Sequence, residues 1–493
     1  MRLFWRQSLF IPVSVATLLV ACGDSTNPFV ERLVIISGGS VTDTILARLT
    51  QPLVVEYRDS TGAVRSGVPI HIDRPVGGVA LRRSLGDSVF RAAITDTTDA
   101  NGQVRVYVAL GIVAGLAWVR ATTTTGLADS TSFTILPGAL ARVMLAPVDT
   151  AVHVGGSVTL RGKTFDSWGN ERTDALQWSA AGDVVAATQP GTFRGSRVGR
   201  TMVTARTGAV ADSIWLNVVP RGTIAAIFQS SIIGTPQYVV IFNTDGTGYQ
   251  RVNIGADCAH GLQWSPAGDR LFFGRNAAPG VCFTQRLYHE SPGGAATRLR
   301  PDTGSLAGEF SPRPTSDGQW IYFSGRPDHQ NGEIWRVRPD GTGAERVGPA
   351  SGFSDIDQHP APSPDGTIVV YASWRDLEPA VNLRVLNTTT RAVSDLGVIG
   401  MTPSWSPNGD SLAFRRGDEH FLVAADGSGE RFLANTRGAS DQPPPVSWSP
   451  DGHWVVFLAP DNRLVLFEVA TSMALPLGWT GELTYPSWRP GTP

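Results

Sequence analysis

Short runs of alternating apolar and polar residues, separated by turns rich in Gly, Pro, Asp and Asn, extend along most of the chain. In the run 104–108, valines alternate with Arg105 and Tyr107, as expected for a strand that buries one face. The preceding turn, 99–102, contains Asp, Asn and Gly, which tolerate the backbone conformations of tight turns. Long stretches with apolar residues at helical spacing are missing from the sequence. The pattern therefore predicts an all-β chain.

The second half of the chain repeats one phrase, seen as SWSPDGHWVVF at 447–457. An apolar strand enters a Ser-Pro-Asp-Gly turn and a second strand follows. A third and a fourth strand complete each unit and are joined by a second turn, such as PDGTG at 339–343. Four strands in a repeat of about forty to fifty residues predict the blades of a β-propeller. The turns do not bind phosphate, because neither a Lys nor a helix follows them. The first turns contain Gly268, Gly318, Gly366, Gly409, Gly452 and Gly491.

The first and last units of this region are each incomplete. The last phrase, around Gly491, lacks its second strand. At the other end, RGTIAAIF at 221–228 resembles the second strand DGTIVVYA at 365–372 and lacks a first strand. We therefore expect Leu483–Trp488 to pair beside Thr223–Phe228. That pairing would close a ring of six blades and cover both sheet edges.

The blade phrase resembles that of TolB and its relatives, in which blades carry P-x-W-S-P-D-G. Residues 403–405 and 486–488 match this phrase, whereas Pro312 and Pro360 keep the first Pro without the Trp. The resemblance covers 221–493 and implies a TolB-like propeller that binds a protein or peptide. TolB has an α/β domain before its propeller, and this chain departs from that pattern because two further β units stand in its place.

These two β units occupy 32–138 and 139–220, and each ends in an apolar strand followed by Pro. VEYRDSTGAVRSGVPI at 55–70 and the turn at 99–102 resemble the invasin type of bacterial Ig-like (Big) domain. In the second unit, DSWGN at 166–170 and Trp178 resemble another bacterial Ig-like family. The resemblances imply two β-sandwiches that act as spacers, with Trp178 in the core of the second.

The first residues, 1–21, have the pattern of a signal peptide. Arg2 and Arg6 precede an apolar run at 9–20 that is short for a membrane span. LVAC at 19–22 resembles the lipobox of bacterial lipoproteins, which implies cleavage before Cys22 and a lipid anchor on its sulfur. The alternative is an ordinary secretory signal with a chance Cys.

The predicted anchor determines the expected compartment. The residue after Cys22 is Gly23, not the Asp that retains lipoproteins in the inner membrane of enteric bacteria. We therefore expect a cell-envelope protein at the outer membrane, with 22–31 as a tether.

Charge and cysteine content limit the remaining classes of function. The chain has 41 Lys and Arg against 43 Asp and Glu, a net charge of −2, without a clustered basic run. This excludes a nucleic-acid partner.

Cys258 and Cys282 suggest a disulfide in an oxidising compartment. They flank strands about 9.6 Å apart, so loop bending would have to bring their Cα atoms within about 7 Å.

Polar residues recur in the loops that strand order places on one face of the propeller. One interpretation is a set of ion pairs that tie neighbouring blades. The other is a polar rim around a central channel that binds a peptide, a protein segment or a glycan. The candidate binding residues are Arg326, Asp328, Asp355, Asp357, His359, Arg375, Asp376, Arg416, Asp418 and Asp441.

The sequence offers no candidate catalytic residues, and it contains no G-x-S-x-G. Oligogalacturonate lyases resemble this propeller type and hold a metal with His and Gln. Here His260, His329 and His359 come from different blades, with Gln358 beside His359, so we expect neither a metal nor another cofactor. The sequence favours a non-catalytic envelope protein that binds a protein or peptide. The alternatives are a metal-dependent lyase or hydrolase acting on carbohydrate at the channel mouth, and a purely structural spacer.

Overall fold

The computed structural model describes residues 30–148, 150–228, 237–256, 258–276, 285–300, 306–327, 332–350, 355–375, 378, 380–436, 444–477 and 483–491. Every regular element in these ranges is a β-strand, so the all-β prediction is confirmed. No helix in the same ranges is long and apolar enough to cross a membrane. The predicted signal segment and Cys22 lie outside the described residues.

The chain divides into two compact units, 1–142 with 164–173, and 143–163 with 174–493. The boundaries predicted from the sequence, at 138 and 220, stay a prediction.

Nine strands in the first unit form two sheets, with orders β1-β3-β7-β5 and β2-β9-β8-β4-β6. Their bounds are β1 Arg32–Ser37, β2 Val41–Thr44, β3 Leu53–Arg58, β4 Pro69–Val76, β5 Val79–Arg82, β6 Ala93–Thr97, β7 Gln103–Leu110, β8 Gly115–Thr123 and β9 Ala128–Leu136. Val104, Val106 and Val108 of β7 are buried while Arg105 is exposed, as the alternation predicts. Side chains from both sheets share one hydrophobic cluster, which includes Phe133. Burying a large apolar side chain stabilises the fold by about 1.5–3 kcal/mol.

The next ten strands form sheets with orders β11-β19-β18-β15, β12-β17-β16 and β10-β13-β14. Their bounds are β10 Leu140–Ala146, β11 Thr150–His153, β12 Ser157–Thr159, β13 Arg161–Asp166, β14 Glu171–Arg172, β15 Gln177–Ala180, β16 Val185–Gln189, β17 Thr192–Gly195, β18 Gly199–Thr207 and β19 Val210–Val219. Trp178 packs against the hydrophobic cluster of this region and meets the ring of Phe193 edge-on, with centroids 6.2 Å apart.

The remaining strands form six four-stranded antiparallel sheets. Their bounds are β20 Thr223–Phe228, β21 Gln237–Asn243, β22 Gln250–Ala256, β23 Ala259–Trp264, β24 Leu271–Asn276, β25 Gln285–Glu290, β26 Thr297–Arg298, β27 Gly308–Pro314, β28 Ile321–Arg326, β29 Glu333–Val337, β30 Glu345–Arg346, β31 Ile356–Pro362, β32 Ile368–Trp374, β33 Asn382–Asn387, β34 Val393–Ile399, β35 Met401–Trp405, β36 Ser411–Arg416, β37 Glu419–Ala424, β38 Arg431–Asn435, β39 Ser447–Trp448, β40 Trp454–Leu458, β41 Leu464–Glu468, β42 Ala474–Pro476 and β43 Leu483–Trp488. We number the sheets in chain order: sheet 1 is β22-β21-β20-β43, and sheets 2 to 6 begin with β23, β27, β31, β35 and β39.

Sheet 1 joins the two ends of this region, as the incomplete units predict. Strand β20 pairs antiparallel with β43, so that Ile224 lies opposite Trp488 and Phe228 opposite Leu483. The end strands β43, β23, β27, β31, β35 and β39, which we call the ring strands, contact one another in that order, and β39 contacts β43 again. This pairing covers the edge of β20 that would otherwise be free, and β43 becomes the end strand of sheet 1.

The repeated phrase forms the turn that the sequence predicts. All six predicted first-turn glycines have positive φ, from 67° at Gly318 to 78° at Gly409. In the last complete copy, Ser449 Oγ donates a hydrogen bond to Asp451 and accepts one from the Trp454 N–H at 2.9 Å. These are local turn interactions, and they account for the Ser and the Asp of the phrase without any ligand.

The Trp of the phrase links neighbouring sheets. The indole N–H of Trp264 in sheet 2 donates to the Ser487 carbonyl of sheet 1 at 3.2 Å. Equivalent bonds of 3.1 Å join Trp405 to Ala361 and Trp448 to Ser404, in each case reaching the preceding ring strand. The phrase therefore has an architectural role at both its turn and its Trp.

Glu290 at the end of β25 is only 1% exposed, and neither of its carboxylate oxygens has a hydrogen-bond partner among the residues that the structure describes. Burial raises its pKa from 4.5 to about 7, against the opposing effect of Arg275. The folded state therefore holds a proton that the unfolded state has released, and this contribution to stability is lost as pH rises from 4.5 through about 7.

The free energy of unfolding of Glu290→Gln, relative to that of the wild type, should increase by about 2 kcal/mol between pH 5 and pH 8. Only the wild type loses the stability that the protonated Glu290 provides at low pH. Urea unfolding at both pH values measures the difference. Glu419→Gln, at an exposed position of β37, is the control and should show no such change. Parallel pH profiles for wild type and Glu290→Gln would contradict the assignment.

Candidate functional site

Five ring strands are interrupted at one equivalent position by a residue in the left-handed backbone region. These residues are Gly261 (φ 67°), Ser311 (50°), His359 (55°), Thr402 (51°) and Tyr485 (52°). The register of each strand shifts there, as at a β-bulge. In four of the five the next residue is Pro, which disfavours the right-handed helical conformation of the residue before it. The bulges re-aim the side chains of the ring strands.

Side chains at and beside these bulges contact one another across sheets. His260 Nδ1 lies 3.0 Å from the hydroxyl oxygen of Tyr485, and His359 Nδ1 lies 3.2 Å from Ser311 Oγ. The His359 N–H donates to Ser324 Oγ at 3.0 Å. We call the residues His260, Ser311, Arg313, His359 and Tyr485 the ring cluster.

Arg313 supplies the positive charge of the ring cluster. It is 9% exposed, and its Nη1 atom has no hydrogen-bond partner in the described part of the chain. Burial lowers its pKa to about 10, so the guanidinium remains charged at neutral pH. Burial, with Arg313 and Arg326 nearby, lowers the pKa of His359 to about 3, and burial lowers that of His260 to about 4. Burial raises the pKa of Tyr485, so both imidazoles and the phenol are neutral.

Two predicted binding residues, Asp357 and Arg375, form a buried ion pair within sheet 4. Arg375 Nη1 lies 2.8 Å from Asp357 Oδ1, and Arg375 Nη2 donates to Asp357 Oδ2 at 3.1 Å. Asp355 is the second carboxylate near Arg375, at 3.8 Å. Burial raises the pKa of Asp357 although the Arg375 guanidinium opposes that shift. The charge of Arg375 is therefore neutralised locally.

The other described candidates also interact inside their own sheets. Arg416 pairs with Glu430 at 2.7 Å, and Asp418 pairs with Arg415 at 3.3 Å, both within sheet 5. Arg326 lies over the ring of Phe310, 4.6 Å from its centroid, within sheet 3. Each of these contacts lies within one sheet, whereas the ion-pair interpretation of the sequence expected contacts between neighbouring blades.

Ion pairs between neighbouring sheets are made by residues that the sequence did not single out. Arg300, after β26, pairs with Glu309 of sheet 3 at 2.5 Å. Arg391 of sheet 4 pairs with Glu345 of sheet 3 at 3.3 Å. Both pairs depend on the packing of sheets, which sequence spacing does not report.

Several predicted residues lie outside the described ranges: Asp328, His329, Asp376, Asp441 and Cys282. Cys258 is disulfide-bonded, and its pairing with Cys282 stays a prediction. Within the described ranges, His, Cys, Asp and Glu do not group in a way that can hold a metal ion. Of the candidate binding residues, His359 belongs to the ring cluster, and His260, considered as a metal ligand, is also a member.

Sequence reasoning missed Arg313 and Tyr485, although both lie in the repeated phrase. Arg313 stands between Pro312 and Pro314, at a position where the other copies have Gln, Ala or Ser. A charged residue at a position where the other copies are uncharged is the sequence feature that could have identified Arg313.

Comparison with known proteins gives limited matches. No protein-family profile matches the chain. Among solved structures, TolB from Acinetobacter baumannii is similar with a TM-score of 0.46 and 16% identity, covering 60% of this chain and 80% of that one. The "Protein TolB homolog" of Chlorobium luteolum is 35% identical over 109 residues, which are 21% of this chain and 24% of the relative. The chain thus spans about a quarter of that TolB homolog.

A longer match is to the "Uncharacterized protein Atu1656" of Agrobacterium fabrum. It is 32% identical over 213 residues, which are 40% of this chain and 68% of the relative. The chain belongs to the family of this Agrobacterium protein.

Proposed function

We propose that the chain is a non-catalytic protein of the bacterial cell envelope whose sheets 1 to 6 are the blades of a closed TolB-like propeller that binds a protein or peptide. The β20–β43 pairing and the cyclic contacts of the ring strands support the closed ring, and the match to the TolB homolog supports the family resemblance. In this proposal two Ig-like sandwiches, 32–138 and 139–220, are spacers, and Cys22 carries a lipid anchor in the outer membrane.

The observation that carries the binding proposal is the pair Arg326 and Trp374. They end the second strands of the adjacent sheets 3 and 4, so strand order places them at one edge of the ring. Trp374 is 49% exposed. Arg326 is half-buried and forms no ion pair with the residues that the structure describes. Trp and Arg are the residue types that dominate binding energy at protein interfaces.

The spacer role is supported by contacts between the second sandwich region and the ring. His153 of β11 lies 3.0 Å from both Asp245 and Thr244 of sheet 1. The Asn217 side-chain amide of β19 donates to the Pro476 carbonyl of sheet 6 at 3.1 Å. Bonds to two separate sheets hold this sandwich against the ring, as a support for a binding domain requires.

The test uses the immobilised full chain, detergent-solubilised envelope extract and crosslinking. We expect the double variant Trp374→Ala/Arg326→Ala to recover at least tenfold less of the partner, because both anchors are lost. The control double variant Trp168→Ala/Arg431→Ala removes the same residue types at exposed positions elsewhere and should bind like the wild type.

Equal recovery by the two double variants would contradict a binding site at this edge. Cleavage of an envelope carbohydrate by the purified chain would contradict the non-catalytic proposal and favour the carbohydrate-active alternative.

A further inference from the structure

We propose that the ring cluster binds a carboxylate and that Arg313 is the cation of this site. Arg326 also acts electrostatically on His359, but the proposed site is centred on Arg313 and does not depend on a protein partner at the Arg326 and Trp374 edge. The Arg313 guanidinium is nine-tenths buried, and its Nη1 atom has no hydrogen-bond partner among the described residues. A buried charge without a counter-charge is destabilising, and an anionic ligand would remove that cost.

The carboxylates nearest along the ring strands are already neutralised by other arginines. Glu309, on the same strand as Arg313, pairs with Arg300 and also accepts the Leu287 N–H at 3.0 Å. Asp357, on the next ring strand, pairs with Arg375. Arg313 itself has no carboxylate partner among the described residues. Arg313 therefore contributes a positive charge that these ion pairs do not neutralise.

The other members of the ring cluster are neutral hydrogen-bonding groups. Tyr485 and His260 contact each other on one side, and Ser311 and His359 contact each other on the other. Arg313 lies on β27, the ring strand that contacts both β23, which carries His260, and β31, which carries His359. Hydroxyl and imidazole groups can direct hydrogen bonds at an anion without adding charge.

The chemistry of the cluster matches a singly charged, planar anion. A guanidinium presents a rigid fork of N–H donors that pairs with the two oxygens of a carboxylate. One guanidinium balances the single charge of a carboxylate. The carboxylate can belong to a small molecule or to the C-terminus of a peptide, and the experiment distinguishes these sources.

The test measures binding of ¹³C-labelled acetate to the full chain by NMR line broadening, with acetamide as the neutral analogue of similar shape and chloride as the salt control. We expect acetate, but not acetamide or chloride, to bind and to raise the melting temperature, because a ligand that binds only the folded state stabilises it. Arg313→Met should weaken acetate binding at least tenfold. Arg431→Met, at an exposed position of sheet 5, should leave it unchanged.

A second variant keeps the proposal testable if Arg313→Met fails to fold. Arg313→Lys retains the charge and loses the planar fork, so we expect a folded protein with acetate binding weakened several-fold. Acetate binding that is equal in wild type and in both folded variants would overturn the proposal, as would equal binding of acetate and acetamide.

The source of the carboxylate is assigned by competition with acetate. A peptide with a free C-terminus that displaces acetate better than its amidated form would assign the site to a chain terminus. Displacement by small carboxylates alone would assign it to a small molecule. Equal displacement by the free and the amidated peptide would overturn the carboxylate assignment. Because Trp374→Ala/Arg326→Ala leaves Arg313 intact, loss of partner binding in that variant and loss of acetate binding in Arg313→Met are separate outcomes.

Discussion

Replacing Trp488 with Ala should lower the free energy of unfolding by about 3–5 kcal/mol, the range for removing a large aromatic side chain from a core. Trp488 is 4% exposed and belongs to a cluster that contains Ile224 of β20 and Leu483 of β43. Its indole ring fills the space beside Gly222, where an added Cβ would lie 2.6 Å from the ring. The variant therefore leaves a cavity in the sheet that joins the two ends of the ring region.

Urea unfolding followed by circular dichroism measures this loss. Trp168→Ala is the matched control, because Trp168 is 54% exposed and a surface substitution changes stability by about 0.5 kcal/mol or less. If both variants unfold at nearly the same urea concentration as the wild type, Trp488 does not stabilise the closing sheet as we infer.

Replacing Arg375 with Met should destabilise the protein by about 3–5 kcal/mol at pH 8, because the fully buried Asp357 loses its counter-charge. Burial already raises the pKa of Asp357 above 3.8, and removal of the guanidinium raises it further. A raised carboxyl pKa makes the folded state hold a proton more tightly than the unfolded state, so the loss should shrink as the pH is lowered to 5.

Unfolding experiments at pH 5 and pH 8 measure this dependence, and Asp357→Asn in the Arg375→Met background should recover part of the stability at pH 8. Arg416→Met is the control, because Arg416 and Glu430 are both exposed and such pairs contribute about 0–1 kcal/mol. A loss in Arg375→Met that is the same at both pH values would show that Asp357 is not the group responsible.

The predictions that succeeded from sequence concern interactions between residues near each other in the chain. Ser449, Asp451 and Trp454 form their turn within six positions, and alternation in β7 separates buried from exposed residues without reference to any other strand. The β20–β43 pairing is a long-range contact, yet it was predictable because each repeat unit has a defined strand order and the two ends were complementary.

The predictions that differed concern charged side chains. Of the two interpretations of the recurring Arg and Asp after each second strand, one was ion pairs between neighbouring blades and the other a polar binding rim. Arg375 and Arg416 instead pair within their own sheets. A long side chain can reach several carboxylates, and which one it meets depends on distances of a few ångströms, because electrostatic attraction weakens with separation.

By itself, the sequence determined the all-β class and the repeat with its turns, because both follow from local backbone preference and from alternation. It also determined the pairing that joins the ends of the ring region, because the incomplete first and last units complement each other. Only the tertiary structure decided the ring cluster. His260 and Tyr485 are 225 positions apart and meet through their ring strands, and the bulges that aim them have no fixed residue type. The partner of a side chain on a ring strand is set by the packing of the neighbouring sheets, and Arg313 became a candidate site only when that packing left it buried and without a carboxylate partner among the described residues.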